Sequence, residues 1–410
     1  MTGHTQSDWN VGRLLWIQAA PLAEKLDSAT WLETTRLLRE RGWRVDLFCE
    51  GKKSGPQTIK GVDVICFRRP NVYFVGSAMF HLQVIWELSR HLLLYDIVLF
   101  HQMTALWMMP VWVLRRLTGR RQPLLLLDTR DLPTFETGMK SKLRQKFFSM
   151  VHRLANFFAD GQLAITQEMA ELVGIPEESL IGIWPSGVDI DAFRSARVDR
   201  TWPTAGETVE LLYIGKLHLE RNLLPMCEAV RTAHKAGMAI RLSLVGSGPD
   251  EHFLRNLASS ADGAIRVLPP VPHTEVPTLL ARAHVGVTSF PAVTDRKFAA
   301  SSPIKLFEYL AAGLPVLASA NICHTNVVGK GEYAFWVHDP TEEGVMKALE
   351  QLWAKRDALP RLSVAASQAA EDWTWDASAG KLSTALSSAL PTYMDERAAV
   401  HQKFPRRQVD

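Results

Sequence analysis

The residues best spaced to do chemistry lie in SSPIKLFEYLAAGLPVLAS, Ser301 to Ser319. Ser302 has the side chain of a helix N-cap, and Pro303 suits the first helical position. Ile304, Phe307, Leu310 and Ala311 fall on one apolar face, while Lys305 and Glu308, three apart, share another. Gly313 supplies a C-terminal stop, and LPVLAS reads as a buried parallel strand. A capped helix start offers free N–H groups and a positive dipole end to a phosphate. Glu308 follows Pro303 by about 7.5 Å along the axis, at about 1.5 Å per residue. That is the reach from a nucleotide's diphosphate to its ribose hydroxyls, so the spacing predicts a nucleotide-diphosphate clamp. A plain helix-to-strand joint of an α/β protein has the same local grammar.

A second constellation is YIGKLHLERN, with Gly215 and Lys216 just after an apolar strand and Arg221 opening a helix. Two fixed cations near a helix start suit charge building on a departing diphosphate; a solvated Lys–Arg pair is the competing reading. SLVGSGPD at Ser243–Asp250 is a glycine-rich strand-to-helix turn in which Gly246 and Gly248 shape backbone. In the first half, DIVLFHQ ends in His101 and PLLLLDTRDLP ends in Arg130 and Asp131. Arg130 suits a phosphate or carboxylate, with Asp131 orienting it. His101 is either a ligand contact or a satisfied histidine at a strand end.

Positioning such residues requires strand C-termini, and the chain supplies them by alternation. RLLWIQAA, a helix around Ser28–Arg41, WRVDLFCE, VDVICFRR and a helix from about Ser77 to Leu94 come first. DIVLFHQ, a helix around Leu106–Leu117, PLLLLDTRD, a helix around Lys140–Phe158, QLAITQ and SLIGIWPSG follow. After a polar linker, RSARVDRTWPTAGET, a second set runs from VELLYIGKL through IRLSLVGSGPD, AIRVLPPVP, AHVGVTS, LPVLAS and YAFWV. Helices are expected near Glu342–Trp353 and Ala377–Leu390. This β-α grammar predicts open, largely parallel sheets with ligands at the strand C-termini.

The 410 residues suffice for two domains, and 47% hydrophobic content is globular. A net charge of +3 gives no argument for nucleic acid. Cys49, Cys66, Cys227 and Cys323 form no CxxC pair, which points to a reduced cytoplasmic setting and no zinc site. ALWMMPVWVL is half a bilayer span and contains Pro110, so no transmembrane segment is expected. Residues 100–155 carry ten Lys/Arg and three Asp/Glu, a local net charge of +7. On the Lys140–Leu154 helix, Leu143, Phe147, Met150, Val151 and Leu154 form a stripe. Lys140 and Arg144 flank it on one side, Lys142, Lys146 and Arg153 on the other. This suits a helix lying on anionic lipid, and equally a core-facing helix with snorkelling cations.

SSPIKLFEYLAAGLPVLAS resembles the donor-site signature of family 4 retaining glycosyltransferases of the group 1 type. That signature has two glutamates separated by seven residues; Glu308 is the second, and the first position is Ala300. Many relatives with Ser-Pro-x-Lys-Leu-Phe-Glu text also lack the first, so Ala300 reads as a subfamily variant. The family's Gly-Arg-Leu…Lys text appears with its cations reversed, as Lys216 and Arg221. SGVDIDAF is similar to the end of the family's N-terminal domain, and EDWTWDASAGKL to the segment whose last helix crosses back to it. The family's early glycine-rich acceptor loop is absent.

The resemblance implies an α/β GT-B fold: two Rossmann-like, doubly wound parallel-sheet domains facing across a cleft. It places an acceptor-side domain at 1–195, a nucleotide-sugar domain at 196–375, and a returning helix and tail at 376–410. It implies catalytic roles for Lys216, Arg221 and Glu308, and donor contacts from Gly215, Val271, Pro272, Ser302, Pro303, Ile304 and Lys305. His101, Arg130 and Asp131 become acceptor-side candidates. The implied activity is metal-free, cofactor-free hexosyl transfer with retention, from a nucleotide-diphosphate sugar to a glycan or polyprenol-linked acceptor, in cell-surface polysaccharide or glycoconjugate synthesis. The implied place is the cytoplasm, peripheral to the inner face of the plasma membrane. A catalytically silent nucleotide-sugar binder and a sugar-nucleotide epimerase are the alternatives on the same architecture.

Overall fold

The computed structural model describes residues 11–24, 28–70, 73–119, 123–132, 139–198, 200–204, 206–291 and 296–403. The chain divides into two compact units: residues 1–185 with 375–410, and residues 186–374. SGVDIDAF, expected to close the first domain, lies in the second unit, where its helix Ile190–Val198 buries Phe193.

The first unit is built on eight strands: β1 (Gly12–Gln18), β2 (Trp43–Gly51), β3 (Gly55–Ile59), β4 (Val62–Arg68), β5 (Ile97–His101), β6 (Leu124–Thr129), β7 (Gly161–Ala164) and β8 (Leu180–Ile183). Their order is β3-β4-β2-β1-β5-β6-β7-β8. Only β3 runs antiparallel, pairing with β4. GPQTI was not expected as a strand. It carries Gly55 and Pro56, and as an edge strand it tolerates a proline that a central one would not. The apolar runs of β1, β5 and β6 are buried throughout, as strands covered on both faces must be.

Helices Tyr73–His91, Ala105–Thr118 and Met139–Phe158 cover one face of that sheet, sharing a core that includes Phe80, Phe100, Met108 and Val151. The opposite core, around Trp16, Trp43, Leu382 and Leu386, is closed by helix Ala29–Glu40 and the final helix, Trp375–Lys403. Trp43 Nε1 donates to Ser383 Oγ at 2.9 Å, and Arg41 pairs with Asp376 at 2.7 Å. These contacts seat the returning helix on the first sheet.

The second unit carries β9 (Val209–Ile214), β10 (Ile240–Val245), β11 (Ile265–Leu268), β12 (Val285–Thr288), β13 (Val316–Ser319) and β14 (Ala334–Val337). All pairs are parallel, in the order β11-β10-β9-β12-β13-β14. The winding reverses between β9 and β12, and in the first unit between β1 and β5. In open α/β sheets ligands sit beyond the strand C-termini at such reversals. Here those ends lead into Gly215–Lys216 and, in the first unit, into His101.

Candidate functional site

The signature folds as helix Ile304–Ala311, but its entry differs from the expected one. Pro303, not Ser302, is the N-cap, with φ −84° and ψ 74° and no side-chain cap bond. These angles are those of an inverse γ-turn, and Ile304 N–H donates to Ser302 O at 3.0 Å. Ser302 Oγ instead accepts the Ser186 N–H at 3.2 Å. A proline ring fixes φ near this value, so the turn outcompetes a serine cap. The buried face also differs: Leu306, Phe307, Tyr309 and Leu310 are fully enclosed, whereas Ile304 is half-buried.

Glu308 and Lys305 do share a face, joined Oε2 to Nζ at 2.7 Å. The Glu308 carboxylate is only 3% exposed. Its other oxygen lies 3.1 Å from Nε2 of His273, a residue the sequence reading passed over. Burial opposes ionisation of Glu308. The hydrogen bond from His273 and the charge and hydrogen bond of Lys305 outweigh it, holding the carboxyl below its ordinary range. His273 begins a short 3-10 turn, His273–Glu275, capped by Pro272. Val271 and Pro272, expected near a base, are thus carried to the carboxylate by the next residue. The pair lies 35 positions apart in sequence, which hid it.

The Lys216 loop is fixed by backbone contacts. Gly215 N–H donates to Val245 O, and Lys216 O accepts from Tyr213 Oη and His218 N–H. Gly246, at φ +153°, approaches so closely that a Cβ there would sit 1.9 Å from Gly215 O. At Gly248 a Cβ would sit 2.1 Å from Leu217 O. The two glycines therefore dock one strand-end loop on the other. The Lys216 side chain is exposed. Arg221 closes a 3-10 turn, and its guanidinium lies 5.1 Å from the ring centres of both Phe290 and Phe298. Phe290 follows β12, so Arg221 is held over the other strand of the reversal. Beneath Phe290 stacks His324, fully buried, its imidazole pushed down to about 4 by desolvation. Ala300 is 0% exposed, in the turn after Phe298.

In the first unit, His101 ends β5 opposite Asp128 of β6. Its Nε2 lies 2.8 Å from Asp131 Oδ1, and its Nδ1 accepts from Met103 N–H at 3.4 Å. The second contact assigns the proton to Nε2. Gln102 Nε2 also reaches Asp131 Oδ1, at 2.9 Å, so three neighbouring polar groups converge. Arg130 stacks 3.6 Å over the Trp184 ring and donates to Trp184 O. Trp184 Nε1 donates to Asp128 Oδ1 at 2.9 Å. Burial pushes the Asp128 carboxyl up to about 6, against the lowering charge of Arg130 and the Trp184 bond. Asp128, Trp184 and Gln102 were not singled out from sequence. A lone acid ending the run LLLLD was the available signal for Asp128.

The geometry can bind an anion beside a locked carboxylate in the second unit, and a polar ligand at the strand ends of the first. Comparison with known proteins gives these arrangements a family. Residues 28–179 match the "Glycosyl transferase 4-like domain" family, and residues 208–355 match "Glycosyl transferases group 1". WcaL of Salmonella typhimurium strain LT2, provisionally named a colanic acid biosynthesis glycosyltransferase, is 25% identical over 181 residues. That match spans 44% of this chain and 43% of WcaL, less than half of the curated relative. Sucrose-phosphate synthase of Thermosynechococcus elongatus superposes with a TM-score of 0.67 at 16% identity, over 95% of this chain and 100% of its own. Anabaena HepE, solved in complex with UDP-glucose, superposes at 0.65 with 14% identity, over 92% and 100%. These likenesses show the GT-B fold. With both halves of the chain matched, the protein belongs to the group 1 glycosyltransferases, family 4.

Proposed function

We propose that this protein transfers a hexosyl group, with retention, from a nucleotide-diphosphate sugar to a glycan or polyprenol-linked acceptor in polysaccharide or glycoconjugate synthesis. The observation that carries the reading is Glu308: buried, ionised, and held by Lys305 and His273. A carboxylate kept charged in a dry site is a strong acceptor for paired ribose hydroxyls. Ser302–Lys305 and Gly215 border the diphosphate, and Val271 and Pro272 border the base. Lys216 and Arg221 balance the charge that grows on the leaving diphosphate, in place of a metal ion.

The acceptor oxygen bonds to the anomeric carbon as the carbon–oxygen bond to the diphosphate breaks on the same face. The acceptor's hydroxyl proton passes to the departing phosphate oxygen. His101, Arg130 and Asp131 serve the acceptor. The setting is the cytoplasmic side of a membrane.

A panel of nucleotide-diphosphate sugars, assayed for free nucleotide release with glycan and polyprenyl-phosphate acceptors, tests this. The anomeric configuration of the product, read by NMR, tests retention. A second reading, a silent nucleotide-sugar binder, is favoured by the enclosed Ala300 where the family's first glutamate stands. Saturable donor binding with no nucleotide release from any donor establishes that reading instead.

A further inference from the structure

The helices Tyr73–His91, Ala105–Thr118 and Met139–Phe158 form one layer, their inner sides joined in a single core against the first sheet. Their outer sides are not what a solvent-facing layer requires. On the first helix Val75, Met79, Leu82 and Trp86 are exposed, at the spacing of one helical stripe, with Leu82 at 58% and Trp86 at 62%. On the second, Val113, Leu114 and Leu117 are exposed and border an open apolar groove of about 570 Å³. On the third, Leu143, Phe147, Met150 and Phe157 are exposed.

Of seventeen exposed large apolar side chains among the described residues, twelve lie between Val75 and Phe157, so the feature belongs to this layer. The expected stripe on the third helix splits: Val151 enters the core while Leu143, Phe147 and Met150 do not. That division removes the reading in which the whole stripe caps the core.

Charge on the same layer has one sign. The three helices carry eight Lys/Arg and one acid, Glu87. Arg115, itself buried, is spent on Asp160, at 2.6 Å. Arg90 and Arg116 lie against the rings of Trp86 and Trp112. Lys142, Lys146 and Arg153 are exposed, on the side opposite Val151 and beside the Leu143–Met150–Phe157 stripe. The side chains of Lys140 and Arg144 lie outside the described residues. No described helix is long and apolar enough to cross a membrane.

We propose that this three-helix layer docks on the surface of an anionic lipid bilayer. The apolar stripes and Trp86 enter the interface, while Lys142, Lys146 and Arg153 meet the phosphate headgroups. Apolar area with a matching cationic rim is the pairing that peripheral docking needs, since neither part alone holds firmly. An acidic soluble partner would match the charge but leave three apolar helices wet. A second copy would match the apolar area but set cation against cation. The proposal rests on this surface and not on the transfer reaction.

The test uses the full chain, floated with phosphatidylcholine vesicles with and without phosphatidylglycerol, at low and high salt. Binding to the phosphatidylglycerol vesicles alone, weakened by salt, is the expected result. Lys142→Glu with Lys146→Glu is expected to weaken it by about thirtyfold or more. Leu82→Ser with Trp86→Ser is expected to reduce binding at both salt levels. Far-UV circular dichroism and the melting midpoint confirm that each variant is folded. Failure of the wild type to float with anionic vesicles overturns the proposal, whether light scattering then shows a monomer or a dimer. Flotation unchanged in both folded double variants also overturns it, because some other surface then binds.

Discussion

Tyr309 Oη accepts the Ile214 N–H at 3.0 Å, tying the signature helix to the strand end that carries Gly215 and Lys216. Tyr309 is fully buried, and Gly286 of β12 leaves room for its ring, since a Cβ there would lie 2.5 Å from it. Glu308 and Lys216 are therefore set by one rigid connection through neighbouring residues, Tyr309 and Ile214. Burial raises the tyrosine's pKa, so the hydroxyl stays neutral.

Removing that hydroxyl with Tyr309→Phe leaves a strand N–H without its partner. The expected loss is about 1–3 kcal/mol of stability, read as a lower urea midpoint with an unchanged slope. Donor affinity is expected to fall as well, because the Lys216 loop loses its tether. A variant with wild-type midpoint and affinity would show that the tether carries no strain between helix and loop.

Glu308→Gln keeps the shape and can still meet His273, but it removes the charge that faces Lys305 and that is proposed to meet the donor ribose. Losing a charge-assisted hydrogen bond costs about 1.5–3 kcal/mol, and about 1.4 corresponds to tenfold. Donor binding by calorimetry is expected to weaken by at least about tenfold, in a variant that still melts cooperatively. The sign of the acid response follows from the same group. Its folded pKa lies below the unfolded value, so its stabilisation is present above the ordinary carboxylate range. It disappears as pH falls through the folded value. The melting difference between wild type and Glu308→Gln is expected to shrink on acidification.

Much of this was legible in sequence. The strands other than β3 showed as largely apolar runs because a strand covered on both faces is buried. Lys305 and Glu308 were readable as neighbours because helix periodicity fixes an (i, i+3) pair. Ser302 misled because capping depends on dihedral angles, and Pro303 imposes a γ-turn there. His273 was unreadable: a histidine joins a carboxylate on another element only after the parallel sheet brings their loops together. GPQTI was missed because its pairing with Val62–Cys66 is decided by the hairpin and not by apolar content. The exposure of Leu143 and Phe147 was equally hidden, since periodicity finds a stripe without telling what covers it.

Asp128 gives a pH prediction of the opposite sign. Its folded carboxyl is raised to about 6, so the folded state favours the protonated form and ionisation costs stability. That cost is absent below the unfolded carboxylate range and complete above about pH 6. Asp128→Asn can still accept the Trp184 N–H while avoiding the cost. The variant is expected to gain on wild type as pH rises from 4 to 7, by up to about 3 kcal/mol. Equal melting differences at both pH values would show that Arg130 already neutralises the buried charge.

Gly246→Ala tests the close approach of the two loops. A methyl group 1.9 Å from Gly215 O meets backbone, which cannot rotate away, and φ +153° is costly for alanine. A loss of more than about 2 kcal/mol is expected, with weaker donor binding because the Lys216 loop must move. The check is a denaturant midpoint alongside calorimetry with the best donor.

Lys216 and Arg221 separate charge from packing. Both are proposed to meet the diphosphate, where negative charge is greatest in the transition state, so losing either is expected to lower kcat more than it raises KM. Their surroundings differ. Lys216 is exposed, so Lys216→Ala is expected to leave the melting midpoint within about 0.5 kcal/mol of wild type. Arg221 lies over the packed rings of Phe290 and Phe298, so Arg221→Ala also removes two cation–π contacts of about 0.5–1 kcal/mol each. It is expected to lower both kcat and the midpoint. Arg221→Lys restores the charge but neither the planar stack nor the bidentate fork, so it is expected to recover part of kcat. Unchanged turnover in Lys216→Ala, with the donor saturating, removes that lysine from the mechanism. A midpoint loss in Arg221→Ala without any loss of kcat confines Arg221 to packing the strand end.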